Sequence, residues 1–264
     1  MRQVKTAKAN LLAACALLLP TLASAHDFWI EPSTFHPASG ERVSTMLRVG
    51  ENLHGDPVVR KPNIDRFILK GKGAEVPMTG ELGAVPAGSA VVPDAGPHWI
   101  GYQSHPTPIE LPAEQFESYL REEGLERIIE LRAKSGKSAD DGRERFYRCA
   151  KSLLDGNPRT AVFDVPLGFT VELIPRKNPY ALKAGAELPV ALLYRSKPVA
   201  GALVVAMNGT TAIRARTDAN GLVKLRLANP GFWLIKAVHM DAAPPDAGVD
   251  WESWWASITF DLAK

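Results

Sequence analysis

The sequence is poor in cysteine: of its two, Cys15 falls in the first 25 residues and only Cys149 lies beyond them. A chain starting after residue 25 has no intrachain disulfide to draw on, so its fold must rest on an apolar core. Long apolar runs are also missing. Leu11 to Leu19 is too short to span a bilayer, which takes about 20 apolar residues, and no later stretch approaches that length, so no transmembrane segment is expected. Neither sign of charge is in excess. Of 31 Lys and Arg, three (Arg2, Lys5 and Lys8) sit in the leader, leaving 28 against 29 Asp and Glu. A near-neutral surface argues against nucleic acid or anionic membrane as partner, because such binders carry clustered basic residues. Enzyme signatures are absent as well. There is no Gly-x-Ser-x-Gly elbow, His-Glu-x-x-His helix, phosphate loop, dinucleotide fingerprint or paired-cysteine knuckle, and no enzymatic activity is expected.

What is present begins with an export signal. Basic residues at 2, 5 and 8, the apolar run and Ala23-Ser24-Ala25 have the order of a secretory leader with a small-x-small cleavage site. The expectation is a periplasmic protein with a signal peptide over 1–25 and a mature chain of 239 residues beginning at His26. Leu12-Ala13-Ala14-Cys15 offers a rival, lipid-modified start.

Beyond the leader, short strands alternate with Pro/Gly turns. Val43, Thr45, Leu47 and Val49 share one side of a strand, and residues 26–110 read as an N-terminal β-sandwich. From 111 to 156 the composition turns charged and helical. Pro112 and Glu114 suit a first turn, Gly124 a break, and the spacing of Phe146, Cys149, Ala150 and Leu153 predicts a further helix from Asp141 to Leu154 with Cys149 buried. It carries a basic face of Arg143, Arg145, Arg148 and Lys151. Residues 157–264 return to strands, with a hairpin turn at Asp218–Gly221, and look like a transthyretin-like sandwich. The fold class predicted is mainly β: two β-sandwich (Ig-like or transthyretin-like) modules with a short helical insertion between them.

The chemistry centres on His26. Cleavage ahead of it exposes an α-amine beside an imidazole, groups that titrate near ~7.7–8.0 and ~6.5 and can chelate one ion together. Further ligands are expected from His239, which ends a strand, and from Asp250 and Glu252 in the acidic segment that follows it. His98 and His105 flank a strand seven residues apart and point to opposite faces, while His36 and His54 read as surface residues. Tryptophan gathers late, at 233, 251, 254 and 255, mainly as core. An exposed Trp251 or Trp255 would instead mark a glycan or protein contact.

Five segments together carry a resemblance: His26-Asp27-Phe28-Trp29, Val49-Gly50-Glu51, Glu144 to Lys151, Val238-His239-Met240 and Asp250 to Ser257. They resemble the bacterial periplasmic domain-of-unknown-function family labelled NikM-like, over nearly the whole mature chain. That resemblance implies a periplasmic accessory to nickel or cobalt uptake that binds the metal ion and serves a membrane transporter component. Copper remains the chemical rival, because an N-terminal histidine on a periplasmic sandwich is similar to copper carriers. The alternative class is a non-metal module that binds a protein or glycan through exposed aromatics.

Overall fold

In a computed structural model, residues 26–155, 164, 166–209 and 211–263 are described; the expected leader, 1–25, lies outside them. In chain order the first half supplies β1 (Asp27–Pro32), β2 (Arg42–Glu51), β3 (His54–Val58), β4 (Ile64–Lys70), β5 (Val76–Pro77), β6 (Gly88–Val91), β7 (Pro97–Ser104) and β8 (Thr107–Leu111). Helices α1 (Ala113–Glu122) and α2 (Glu126–Lys134) follow, then β9 (Gly142–Asp155). The second half adds β10 (Val171–Pro175), β11 (Glu187–Tyr194), β12 (Lys197–Pro198), β13 (Leu203–Asn208), β14 (Thr211–Arg216), β15 (Leu222–Arg226), β16 (Gly231–Ala242) and β17 (Trp251–Leu262). The chain is mainly β, as its turn-punctuated alternation implied.

A nine-stranded sheet in the order β14-β13-β16-β17-β9-β7-β4-β5, with β8 beside the start of β9, draws strands from both halves. All its pairings are antiparallel except β9 with β17. One face is covered by a small sheet of β1, β2, β3 and β6, whose Phe28, Ile30 and Leu47 meet Ile100, Tyr102 and Ala150. Beside it on the same face, α1 and α2 pack Phe116, Leu120 and Ile128 against Val238 and Trp255. The opposite face is covered by β10, β11, β12 and β15, whose Leu173, Val190 and Leu225 meet Trp254, Ala256 and Ile258. The sandwich-like packing on each side therefore shares its middle layer.

Residues 142–155 correct an expectation, for they form a strand and not the helix that their spacing predicted. Cys149 and Leu153 enter the core on one face of the large sheet, and Ala150 and Leu154 enter the core on the other. A strand covered on both sides loses its period of two, and its apolar run imitates helical spacing. The same geometry dissolves the supposed basic face, because alternation sends Arg143, Arg145 and Lys151 to one side and Arg148 to the other. The first of the helices that do form, α1, ends just before Gly124, which takes a φ of +69°.

Lys151 is buried on β9, and its ammonium lies 2.9 Å from the equally buried Glu172. Burial lowers the Lys151 pKa, against the pull of Glu172. Glu172 also accepts the backbone N–H groups of Leu167, Gly168 and Phe169 at 2.8, 2.9 and 3.2 Å. Its carboxylate therefore satisfies a loop as well as a charge. Glu172→Ala should lower unfolding free energy by about 3–5 kcal/mol, since it strands a buried cation. Lys151→Met should cost clearly less, because three amides still hold the carboxylate. Urea unfolding of both variants checks the order, and equal losses would refute the loop-holding role.

Candidate functional site

The first four described residues, His26 to Trp29, meet three layers at once. In β1, Asp27 to Pro32 pair with Gly50 to Thr45 of β2, which leaves the other edge of the strand free. An unpaired strand edge must find other partners for its backbone groups. Here the carbonyls of Phe28 and Ile30 accept the hydroxyls of Ser257 and Thr259 on β17, at 2.8 and 2.7 Å. Trp29 is 1% exposed and packs with Leu203, Val205, Met207 and Leu234. Its ring also closes over Gly55, where an added Cβ would stand 2.3 Å from Cη2, so β3 can carry no side chain there. Asp27 takes the ammonium of Lys236 at 2.5 Å, and Lys236 in turn reaches Glu123 at 2.8 Å. Burial opposes the charge on Lys236, but Glu123 and Asp27 more than offset it and raise its pKa.

His26 alone of the four is half-exposed. Its carbonyl accepts Arg148 Nη1 at 3.0 Å, which fixes the backbone, and its ring Nε2 lies 3.8 Å from Glu51 Oε1. The register explains the neighbour. One step beyond the Asp27–Gly50 pair, His26 stands beside Glu51, and Glu51 pairs with His54 across the β2–β3 hairpin. Asn52 and Leu53, with φ of +50° and +64°, make that turn. Cross-strand partners share a face, so an imidazole, a carboxylate and a second imidazole line up along the rim of an open cleft of about 850 Å3. The His54 ring points Nδ1 at the carbonyl of Asn52, 2.9 Å away. With the proton on Nδ1, its Nε2 keeps a lone pair for another partner.

Behind His26 sits Arg148. Its guanidinium lies 4.8 Å from the rings of both Phe146 and Trp255 and 5.7 Å from Phe28. Burial lowers its pKa to about 10 despite the pull of Tyr119, Asp27 and Glu144. Under α1, Glu144 is 3% exposed; its Oε1 accepts Ser253 Oγ at 3.3 Å, and Oε2 is buried with no hydrogen-bond partner among the described residues. Ser253 in turn accepts Trp255 Nε1 at 3.1 Å. Burial raises the Glu144 pKa to about 7, against smaller opposing effects of Ser253, Tyr119 and Arg148.

The other sequence-predicted ligands stand elsewhere. Arg148 is opposite Trp255, whereas His239 is opposite Trp254. Successive residues on a strand point to opposite faces, so the large sheet separates His239 from the Arg148 side on which His26 is held. His239 lies against Tyr194, with ring centroids 4.1 Å apart, and its Nε2 is 3.3 Å from Asp241. Burial lowers its pKa. Asp250 is held by Arg143 at 3.0 Å and Lys137 at 3.4 Å, and the Arg143 hydrogen bond lowers its pKa. Glu252 is engaged by Arg145 and by the Tyr147 hydroxyl. Among the described residues no group of three or more His, Cys, Asp or Glu is placed to hold a metal ion. Of the predicted ligands, His26 stands beside Glu51 with His54 next along the rim, whereas His239, Asp250 and Glu252 are engaged with other partners. Glu51 and His54 were within reach of sequence reasoning, because Glu51-Asn52-Leu53-His54 can close a two-residue turn; Arg148 was not, since His26, Phe28 and Trp255 each lie more than 100 residues from it in the chain.

Residues 23–241 match the family described as a domain of unknown function (DUF4198), which is most of the chain, and the chain belongs to that family. No curated protein matches it. No helix among the described residues is long and apolar enough to cross a membrane.

Glu144 supplies a pH test of the packing under α1. Its folded pKa of about 7 stands above the ordinary 4.5, so the fold favours the protonated acid. That contribution is complete below about pH 4.5 and is lost as pH rises to 7. Glu144→Gln, which stays neutral, should lose less stability between pH 5 and pH 8 than the parent chain, by at most about 3 kcal/mol. Thermal unfolding at the two pH values measures this, and parallel pH dependence in the two proteins would contradict it.

Proposed function

We propose that this member of the DUF4198 family is exported, trimmed ahead of His26, and acts in the periplasm as a metal-binding or metal-delivery accessory protein. The observation that carries the reading is the rim at the β2–β3 hairpin, where the His26 ring and the Glu51 carboxylate stand 3.8 Å apart and His54 lies next in the row. The His26 imidazole and a freed terminal amine, with the Glu51 carboxylate beside the ring, would make a mixed nitrogen and oxygen donor set of the kind that suits nickel, cobalt or copper. The resemblance to the NikM-like family favours nickel or cobalt, with a membrane transporter component as the recipient.

The surroundings fit the chemistry asked of them. Arg148 holds the His26 carbonyl, and Asp27 is tied to Lys236, so both backbone and next side chain are fixed before any ion arrives. Less ordering is then left to oppose binding. The ligand nitrogens must give up protons to the solvent, and the affinity should fall as the pH falls. The rival reading, a partner bound through exposed aromatics, has weaker support because Trp251, Trp254 and Trp255 are all buried.

The test is calorimetric titration of nickel, cobalt, copper and zinc into protein beginning at His26 and into protein with one alanine added in front. The added residue should weaken binding by about tenfold or more, equivalent to at least ~1.4 kcal/mol. Glu51→Gln should weaken it as well, and His239→Ala should leave it unchanged. Equal affinity with and without the extra residue would remove the amine from the site. Failure of the trimmed protein to bind any of the four ions would end the metal reading.

A further inference from the structure

The cleft behind His26 differs in chemistry from the metal rim in front of it. It has a volume of about 340 Å3 and opens between β2–β3 of the small sheet and β7–β9 of the large one. Its apolar walls are Leu47, Val49, Val58 and Tyr102, and Lys61 and Arg148 stand at its polar side. Among the described residues no Asp or Glu lines it. The volume lies at the small end of the range for ligand sites, and the mixture of apolar wall with a few convergent polar groups is the usual composition of one.

Arg148 gives the cleft its selectivity. A guanidinium carries five N–H donors and pairs best with a carboxylate in a two-point contact. This one spends a hydrogen bond on the His26 carbonyl, rests on the Phe146 and Trp255 rings, and has no carboxylate at ion-pair distance among the described residues. The nearest candidates are engaged elsewhere, Asp27 with Lys236 and Glu144 with Ser253. A partly buried cation with no opposite charge at ion-pair distance bears a desolvation cost, and a bound anion offsets it. Asn63, also on the lining, keeps Oδ1 buried with no hydrogen-bond partner among the described residues. The Tyr102 phenol has its pKa pushed up to about 12 by burial, so it remains a neutral donor.

We propose that this cleft binds a small amphipathic monocarboxylate, with the carboxylate on Arg148 and Lys61 and the apolar body against Leu47, Val49, Val58 and Tyr102. The site rests on the cleft and its cations and is independent of any metal at the rim.

The experiment uses chelator-treated protein beginning at His26, with benzoate and hexanoate as probes and benzyl alcohol and hexanol as their uncharged counterparts, read by calorimetry and ligand-observed NMR. At least one carboxylate should bind saturably, and its alcohol at least tenfold more weakly. Lys61→Gln, at an exposed position, should weaken the carboxylate severalfold. Val59→Trp, at the 41% exposed mouth, should block it while leaving the fold intact by circular dichroism. Absence of binding by both carboxylates, equal binding of acid and alcohol, or binding undisturbed by Val59→Trp would each overturn the assignment. Because metal is excluded throughout, failure of the metal reading leaves these results untouched, and the converse holds as well.

Discussion

The parallel pairing of β9 with β17 is the constraint on which the rest of the molecule depends. It joins the two halves of the chain in one sheet and sets the neighbours of Glu144, Arg145 and Arg148 on β9. Trp251 to Thr259 run beside Glu144 to Ser152, which brings Arg145 to Glu252, Glu144 to Ser253 across the sheet, and Arg148 alongside Trp255. A slip of one residue would send each of these side chains to the wrong face. Arg148 would then leave the small sheet, and the backbone of His26 would lose the donor that fixes it.

Charge around this pair is distributed with few remainders. Arg143, Arg145, Lys151 and Lys236 each reach a carboxylate, and the acids that a sequence reading would offer to a metal, Asp250 and Glu252, each reach a cation. One place departs from that balance: Arg148, whose aromatic bed holds a cation with no carboxylate at ion-pair distance among the described residues. A polar group left with incomplete pairing has the most to gain from a ligand.

Much of the fold was legible in the sequence. Alternation at Val43, Thr45, Leu47 and Val49 predicted β2, and Gly124 marked the end of a helix, because turns and half-buried faces write a local period. Residues 142–155 were misread for a physical reason: a strand enclosed by two cores presents Cys149, Ala150, Leu153 and Leu154 as an apolar run with no period of two. The site was legible only in part. His26 was visible as the residue after a cleavage motif, but its neighbours are fixed by cross-strand register and by Arg148, 122 residues away, neither of which composition records. His239 drew attention as a strand-end histidine, yet only the sheet's two-sidedness shows that it faces the wrong way.

The hydroxyl contacts from Ser257 and Thr259 to Phe28 and Ile30 each join residues 229 positions apart. Contacts of that span are expensive to form early, because a long loop must close before they give anything back. Strand β1 therefore waits for β17, which is synthesised long after it. Until β17 is in place the carbonyls of Phe28 and Ile30 lack their hydroxyl donors, so damage to β17 would be felt in β1.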